Sequence, residues 1–224
     1  MKTLLINAHP DYTNAAHYSA KLQALFLKKF REKFADDKNE ELTVLNLYAQ
    51  DLPQITKDEL LAIWNKQAAG EVLTAQENQL ATQSADLLTQ FKAHHRIVIV
   101  SPLHNFNITS RMKDYLDNIL IARETFRYLD APDARGKVST GLMTDDYRVL
   151  ILFASGSIYT AGFYQALDFA PRYLQSMFQE VMGFEHFDIV RAEGTAVLSE
   201  EEILAKAAAE LEDEFEQFYL SSAY

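Results

Sequence analysis

The hydrophobic pattern of the chain switches repeatedly between two periods. Residues 97–100 and 149–153 are apolar runs without polar alternation, the pattern of strands buried on both faces. Residues 3–8, 42–47 and 187–190 read as three further short strands. Helical spacing fills the intervals. Residues 15–34 place Leu22, Leu25, Phe26 and Phe30 on one face, with Lys21, Lys28, Lys29 and Lys33 elsewhere. Residues 56–67 and 74–92 each open with a Thr-x-x-Glu capping box, Thr56/Glu59 and Thr74/Glu77. Residues 109–122 are helical, and 163–182 are helical in the second half at least, with Pro171 kinking that stretch or marking a new start. The last helix, 199–218, opens with a Ser199/Glu202 box. Residues 136–146 form the loosest segment, with a turn at 144–146.

Five short strands alternating with helices predict a parallel, doubly wound α/β sheet with helices on both faces. No repeat, linker or low-complexity tract divides the 224 residues, so one domain, 1–224, is expected. The 48% hydrophobic and 24% charged content suits a soluble globular chain, and no apolar run reaches the roughly 20 residues of a membrane span. The apolar start is too short for a signal peptide, so a cytoplasmic location and no membrane partner are expected. Cysteine is absent, which excludes disulfides, thiolate metal sites and cysteine nucleophiles. A net charge of −11 without a basic footprint excludes nucleic acid as the expected partner. His186 has no partner at metal-ligand spacing, so no metal is expected either.

Two strand orders dominate such sheets. The dinucleotide order needs G-x-G-x-x-G after its first strand, and here that turn, Asn7-Ala8-His9-Pro10-Asp11, has no glycine. None of the seven glycines forms G-x-G, and Gly136/Gly141 lack the lysine of a phosphate-binding P-loop. The flavodoxin-like order 2-1-3-4-5 puts its switch point between strands one and three. A ligand should then touch residues 9–19 and 102–109. The first loop enters a helix N-terminus, which suits a phosphate. The second, Leu103-His104-Asn105-Phe106-Asn107, offers amides and apolar faces that suit a flat heteroaromatic ring. Flavin mononucleotide (FMN) has both parts.

Residues 101–117, Ser-Pro-Leu-His-Asn-Phe-Asn-Ile-Thr-Ser-Arg-Met-Lys-Asp-Tyr-Leu-Asp, resemble the flavin loop of the FMN-dependent NADH-azoreductase and NAD(P)H:quinone oxidoreductase family. Asn7-Ala8-His9-Pro10, Thr125-Phe126-Arg127-Tyr128, the Gly156 loop and Ala192-Glu193-Gly194 extend the resemblance over nearly the whole chain. It implies that His9, His17, Tyr18 and Ser19 hold the FMN phosphate. Pro102, Leu103, His104, Asn105 and Phe106 would line the isoalloxazine. Ala154, Ser155, Gly156 and Ser157 would meet its pyrimidine edge, with Tyr159 near O2 and able to assist. Phe126, Tyr128 and Phe178 would wall the substrate pocket, partly from the second subunit of a homodimer whose site lies at the interface. Three positions depart from the family pattern: His17 replaces the first serine of a Ser-x-Ser triplet, His104 replaces Tyr or Trp, and Ala154-Ser155-Gly156-Ser157 replaces Ser-x-Gly-Gly.

The implied activity is two-electron, ping-pong reduction of a quinone or azo compound. NADH or NADPH is the donor, and the flavin, rather than a protein nucleophile, does the chemistry. Two other classes are weighed against it. A flavodoxin-type electron carrier would be shorter, and residues 56–74 and 126–146 suit a covered pocket instead; a flavin-binding sensor stays open as an alternative. A hydrolase of acyl carrier protein phosphodiesterase type would need paired carboxylates, a metal cluster or a nucleophile motif, and none is present.

Overall fold

The computed structural model describes residues 1–35, 37 and 40–220. Five parallel strands build the main sheet: β1 (Lys2–Asn7), β2 (Glu41–Asn46), β3 (Arg96–Pro102), β6 (Arg148–Ala154) and β7 (His186–Ala192). Their order is β2-β1-β3-β6-β7, the expected 2-1-3-4-5. Each parallel pair needs a helical crossover, and the winding reverses at β1, leaving β1 and β3 as central neighbours.

Alternate residues of each strand enter opposite core layers, as a pleated strand buried on both faces requires. Leu4, Ile6, Ile97, Ile99, Val149 and Ile151 face one layer, packed under α3 (Ala75–Lys92), α4 (Ser110–Ile119) and α5 (Phe169–Gln175). Leu5, Val98, Val100, Leu150, Leu152 and Val190 face the other, under α1 (Tyr18–Lys33) and α6 (Glu200–Tyr219). Leu22, Phe26 and Phe30, expected on one helical face, are the buried face of α1. The Thr74/Glu77 and Ser199/Glu202 capping boxes both form.

The expected Thr56/Glu59 box does not. Helix α2 spans Leu60–Ala69, and its N-cap Glu59 makes no side-chain cap. The Glu59 carboxylate instead accepts from the Gln54 N–H at 2.7 Å. Gln54 and Pro53 are drawn toward α4, where Gln54 Nε2 donates to Asp114 and Asn118 Nδ2 donates to the Pro53 carbonyl. That tie holds residues 53–59 in turns and delays the helix by one turn. Helix α1 likewise starts at Tyr18, not residue 15, because Asp11–His17 are organised as turns.

Residues 136–146, expected as the loosest segment, are partly ordered in a strand. Phe126–Tyr128 (β4) and Ser139–Gly141 (β5) pair antiparallel as a separate two-stranded ribbon. Gly141 allows it to dock: a Cβ there would lie 2.2 Å from the Met182 carbonyl oxygen. The 163–182 stretch divides into a 3-10 turn, α5 and a π-helical segment, Ser176–Met182. Pro171 sits in the first turn of α5, where its missing N–H breaks no helical hydrogen bond.

Phe178, expected in the substrate pocket, lies elsewhere. Its side chain is fully buried, with ring centroids 6.2 Å from Phe91 and 5.1 Å from Phe184. It is therefore a core residue under α3. Phe178→Ala is expected to lower unfolding free energy by about 3–5 kcal/mol in denaturant titration, the cost of a large-to-small core change. A loss below about 1 kcal/mol would place the ring outside the core.

Candidate functional site

The crevice opens where the chain leaves β1 and β3. Two hydrogen bonds hold these exits together. The Ala8 N–H donates to the Val100 carbonyl at 2.8 Å, and Thr109 Oγ1 donates to the Ala8 carbonyl at 3.0 Å. Thr109 also caps α4 by accepting from the Met112 N–H. One buried hydroxyl thus sets both the entry of α4 and its distance from the first loop.

Nine of the expected site residues line one cleft of about 370 Å³: His9, His17, Tyr18, Ser19, Pro102, Leu103, Ala154, Ser155 and Gly156. Ala16 and Thr195 line it as well, and nothing in their local sequence marks them. A larger groove of about 480 Å³ opens beside β2, but its wall of Gln50, Asp51, Gln83 and Asp86 offers no helix N-terminus and no cation.

At one end of the cleft, α1 presents an N-terminus without a side-chain cap and without an acidic residue in its first turn. Ser19 Oγ is buried there and has no hydrogen-bond partner among the described residues. A buried hydroxyl left unpaired costs about 1–3 kcal/mol, so it marks a place for an acceptor from outside the chain. Beside it the rings of His9 and His17 stack, with centroids 4.2 Å apart. His9 Nδ1 accepts from the Asp11 N–H at 3.0 Å, which assigns the proton of the neutral ring to Nε2. His17 Nε2 lies 2.8 Å from Asp11 Oδ2, and Asn14 Nδ2 donates to the same oxygen. Burial, and then the neighbouring His17, push the His9 pKa below its ordinary value, against the opposing pull of Asp11. The hydrogen bonds from His17 and Asn14 lower the Asp11 pKa.

The β3 loop turns tightly. The His104 N–H donates to the Asn107 carbonyl at 2.9 Å, and the Asn107 N–H returns to His104 at 3.0 Å. Asn105 and Phe106 between them are both left-handed, at φ 47° and 65°. Two positive φ values in a row make a type I′ turn, and for phenylalanine this conformation is strained. The strain projects Phe106 outward, half-exposed, with its ring centroid 6.5 Å from that of Tyr159. The N–H groups of Asn105 and Phe106 make no hydrogen bond among the described residues, and neither do those of Gly156 and Ser157. Tyr159 is buried, and burial followed by Tyr164 and Asp168 raises its pKa, so its hydroxyl keeps its proton.

Glu193 holds the Ser157–Thr160 segment in place. Its carboxylate accepts from the Tyr159 N–H at 2.8 Å, the Thr160 N–H at 3.1 Å, the Thr160 hydroxyl at 2.5 Å and Lys206 Nζ at 3.2 Å. Burial is the largest single influence on its pKa and pushes upward, but these donors together outweigh it and the net shift is downward. The only sequence signal for this role was a lone acid between a buried strand and Gly194. That glycine sits at φ 76°, in the left-handed region that favours glycine.

The wall residues expected from sequence fall outside the cleft of this chain. Phe126 and Tyr128 lie on the β4–β5 ribbon with their rings edge to face, and Tyr128 is 68% exposed.

The chain matches a family model described as a flavodoxin-like fold over residues 1–215. It is 51% identical over 221 residues to FMN-dependent NADH:quinone oxidoreductase 1 of Lactiplantibacillus plantarum, covering 97% of this chain and 99% of that protein. It is 48% identical over 219 residues to FMN-dependent NADH:quinone oxidoreductase of Streptococcus agalactiae, covering 98% and 99%. Among solved structures, an FMN-dependent NADH-azoreductase from Bacillus anthracis in complex with FMN superposes with a TM-score of 0.89. The two share 41% identity over 98% of this chain and 99% of that one.

Glu193→Gln is expected to destabilise the fold by about 1–3 kcal/mol at pH 7, since an amide cannot accept from all four donors. The folded pKa lies below its ordinary 4.5, so the carboxylate's contribution is complete above that value and is lost as pH falls through the folded pKa. Denaturant unfolding at pH 7 and pH 3 should show the gap between wild type and variant narrowing in acid. An equal gap at both would count against this role.

Proposed function

The chain belongs to the flavodoxin-like fold family, and from that premise we propose that it is an FMN-dependent NADH:quinone and azo oxidoreductase. One observation carries the reading. The cleft has an uncapped helix N-terminus and a buried Ser19 hydroxyl without a partner among the described residues at one end, and its wall of Pro102, Leu103 and Gly156 adjoins in sequence the 104–107 turn and Ser157. The N–H groups of Asn105, Phe106 and Ser157 are likewise without a partner among the described residues. Those two ends suit the phosphate and the tricyclic ring of FMN, and the strand-order switch point is where such a ligand sits.

In this reading the first turn of α1, Ser19 Oγ, the His9 Nε2–H and His17 hold the phosphate, with Tyr18 beside them. Pro102 and Leu103 support the ring system, and the His104–Asn107 turn places the N–H groups of Asn105 and Phe106 along its edge. Ala154, Ser155, Gly156 and Ser157 carry the opposite edge. The N–H groups of Gly156 and Ser157, without partners among the described residues, would stabilise negative charge on the ring. The neutral Tyr159 hydroxyl can donate there too. Bound there, FMN would supply hydride-accepting, two-electron redox chemistry between NADH and a quinone or azo acceptor. Phe106 and Tyr159 then limit solvent access on one side and offer flat apolar faces to a flat acceptor.

Assembly as a homodimer completes the proposal, with residues 1–224 acting as one domain. Phe163 is 82% exposed and Phe169 46%, and Phe163, Tyr164, Tyr159 and Phe106 form a continuous series of ring contacts leading outward from the cleft. Exposed apolar surface of this kind beside a site is the usual mark of a protein interface. The second subunit would cover it and bring in Phe126 and Tyr128. Among the described residues no helix is long and apolar enough to cross a membrane. A cytoplasmic location, where the nicotinamide donor is regenerated, belongs to the same proposal.

Purified protein is expected to bind FMN, to bleach on anaerobic addition of NADH and to recover its colour with a quinone or an azo dye. A protein that takes up no FMN on titration would overturn the assignment. Ser19→Ala is expected to weaken FMN binding roughly tenfold while leaving riboflavin binding unchanged, read by flavin fluorescence. Light scattering should give twice the chain mass.

A further inference from the structure

The phosphate end of the cleft lacks a fixed cation. No lysine or arginine lines it, and Lys21, on the first turns of α1, is engaged 2.5 Å from Glu200. Among the described residues that line the cleft, the helix N-terminus and the two stacked imidazoles are what can bring positive charge. Resting on the FMN reading above, we propose that His9 and His17 form a proton-linked selector for the phosphorylated flavin. Binding the phosphate dianion takes up one proton on His17, so the preference for FMN over riboflavin weakens as pH rises.

The hydrogen bonds assign the two rings different parts. His9 Nδ1 is occupied as an acceptor by the Asp11 N–H, so neutral His9 already offers a donor from Nε2. His17 is the reverse case. Its Nε2 is committed to Asp11 Oδ2 at 2.8 Å, which leaves Nδ1 as its remaining ring nitrogen. A neutral ring that donates from Nε2 carries a lone pair on Nδ1, and a lone pair repels a phosphate oxygen. Only the imidazolium donates from both nitrogens, to Asp11 on one side and to the anion on the other.

The surroundings favour one added proton, not two. Asp11 faces both rings, each histidine faces the other, and His104 faces His9 across the crevice from the β3 loop. With centroids 4.2 Å apart, two imidazolium rings would repel each other. His9 is also the ring whose pKa is lowered by burial and then by its neighbour, while Asp11 is hydrogen-bonded to His17. The proposal therefore places the added proton on His17, the ring whose Nε2 already lies against the Asp11 carboxylate. A phosphate monoester is itself doubly ionised above about pH 6, so its own titration contributes little above pH 7.

The test measures Kd for FMN and for riboflavin, by quenching of flavin fluorescence, on flavin-stripped full-length protein from pH 7 to 8.5. Uptake of one proton predicts an FMN Kd that rises roughly tenfold per pH unit, against a riboflavin Kd that stays flat. His17→Gln should flatten the FMN slope while FMN still binds. Asp11→Asn, which removes the carboxylate that favours the imidazolium, should move the slope to lower pH. An FMN slope no steeper than that of riboflavin would overturn the selector and leave the FMN assignment standing, as would a full slope retained in His17→Gln. No FMN binding at any pH would overturn both.

Discussion

Everything functional in this molecule depends on the crevice where β1 and β3 part company. The two strands are hydrogen-bonded neighbours, yet the chain leaves them toward opposite faces of the sheet. The layers of helices cannot close over that point, so the carboxyl ends of the strands stay accessible. Two short contacts keep the opening defined. Ala8 is bound through its N–H to Val100 and through its carbonyl to Thr109, so the first and third loops are fixed to each other before any ligand arrives. The α1 N-terminus and the His104–Asn107 turn inherit their separation from these bonds.

On that frame the site divides its work by chemistry. One end is polar and incomplete: an uncapped helix, a buried hydroxyl without a partner among the described residues, and two histidines hydrogen-bonded to Asp11. The other end is a backbone surface. Asn105 and Phe106 accept an unfavourable conformation so that their N–H groups and the phenyl ring face outward, and such strain persists only where surrounding structure over-determines it. Glu193 plays the corresponding part for the opposite wall, gathering four donors so that the Ser157–Thr160 segment keeps one shape. Among the described residues no lysine, arginine or nucleophile–base pair lines the cleft. That composition fits a protein which binds and orients a reactive group rather than supplying one.

Much of this was legible in the sequence because it follows from local rules. The runs at 97–100 and 149–153 could be satisfied only by strands covered on both sides, and alternation with helices then fixed a parallel, doubly wound sheet. Absence of a glycine fingerprint after Asn7 pointed to the order that the sheet has, and nine candidate site residues do meet in one cleft. Helix starts were legible where the capping box decided them, at Thr74 and Ser199. At Thr56 the same motif failed, because a tertiary tie from Pro53 and Gln54 to α4 outweighed a local cap worth only about 1 kcal/mol.

What the chain determined by itself was therefore its periodicities, and through them its layers, its strand order and the end of the sheet where a ligand must sit. Only the tertiary structure decided matters of distance and partnership. It put Phe178 in the core against Phe91 and Phe184, since helical spacing cannot say which side of a helix finds neighbours. It paired two three-residue strands, too short to show a period, through a glycine pressed on the Met182 carbonyl. It also made Glu193 and Asp11 organisers. A carboxylate becomes one only when donors distant in sequence converge on it, and no local pattern records that convergence.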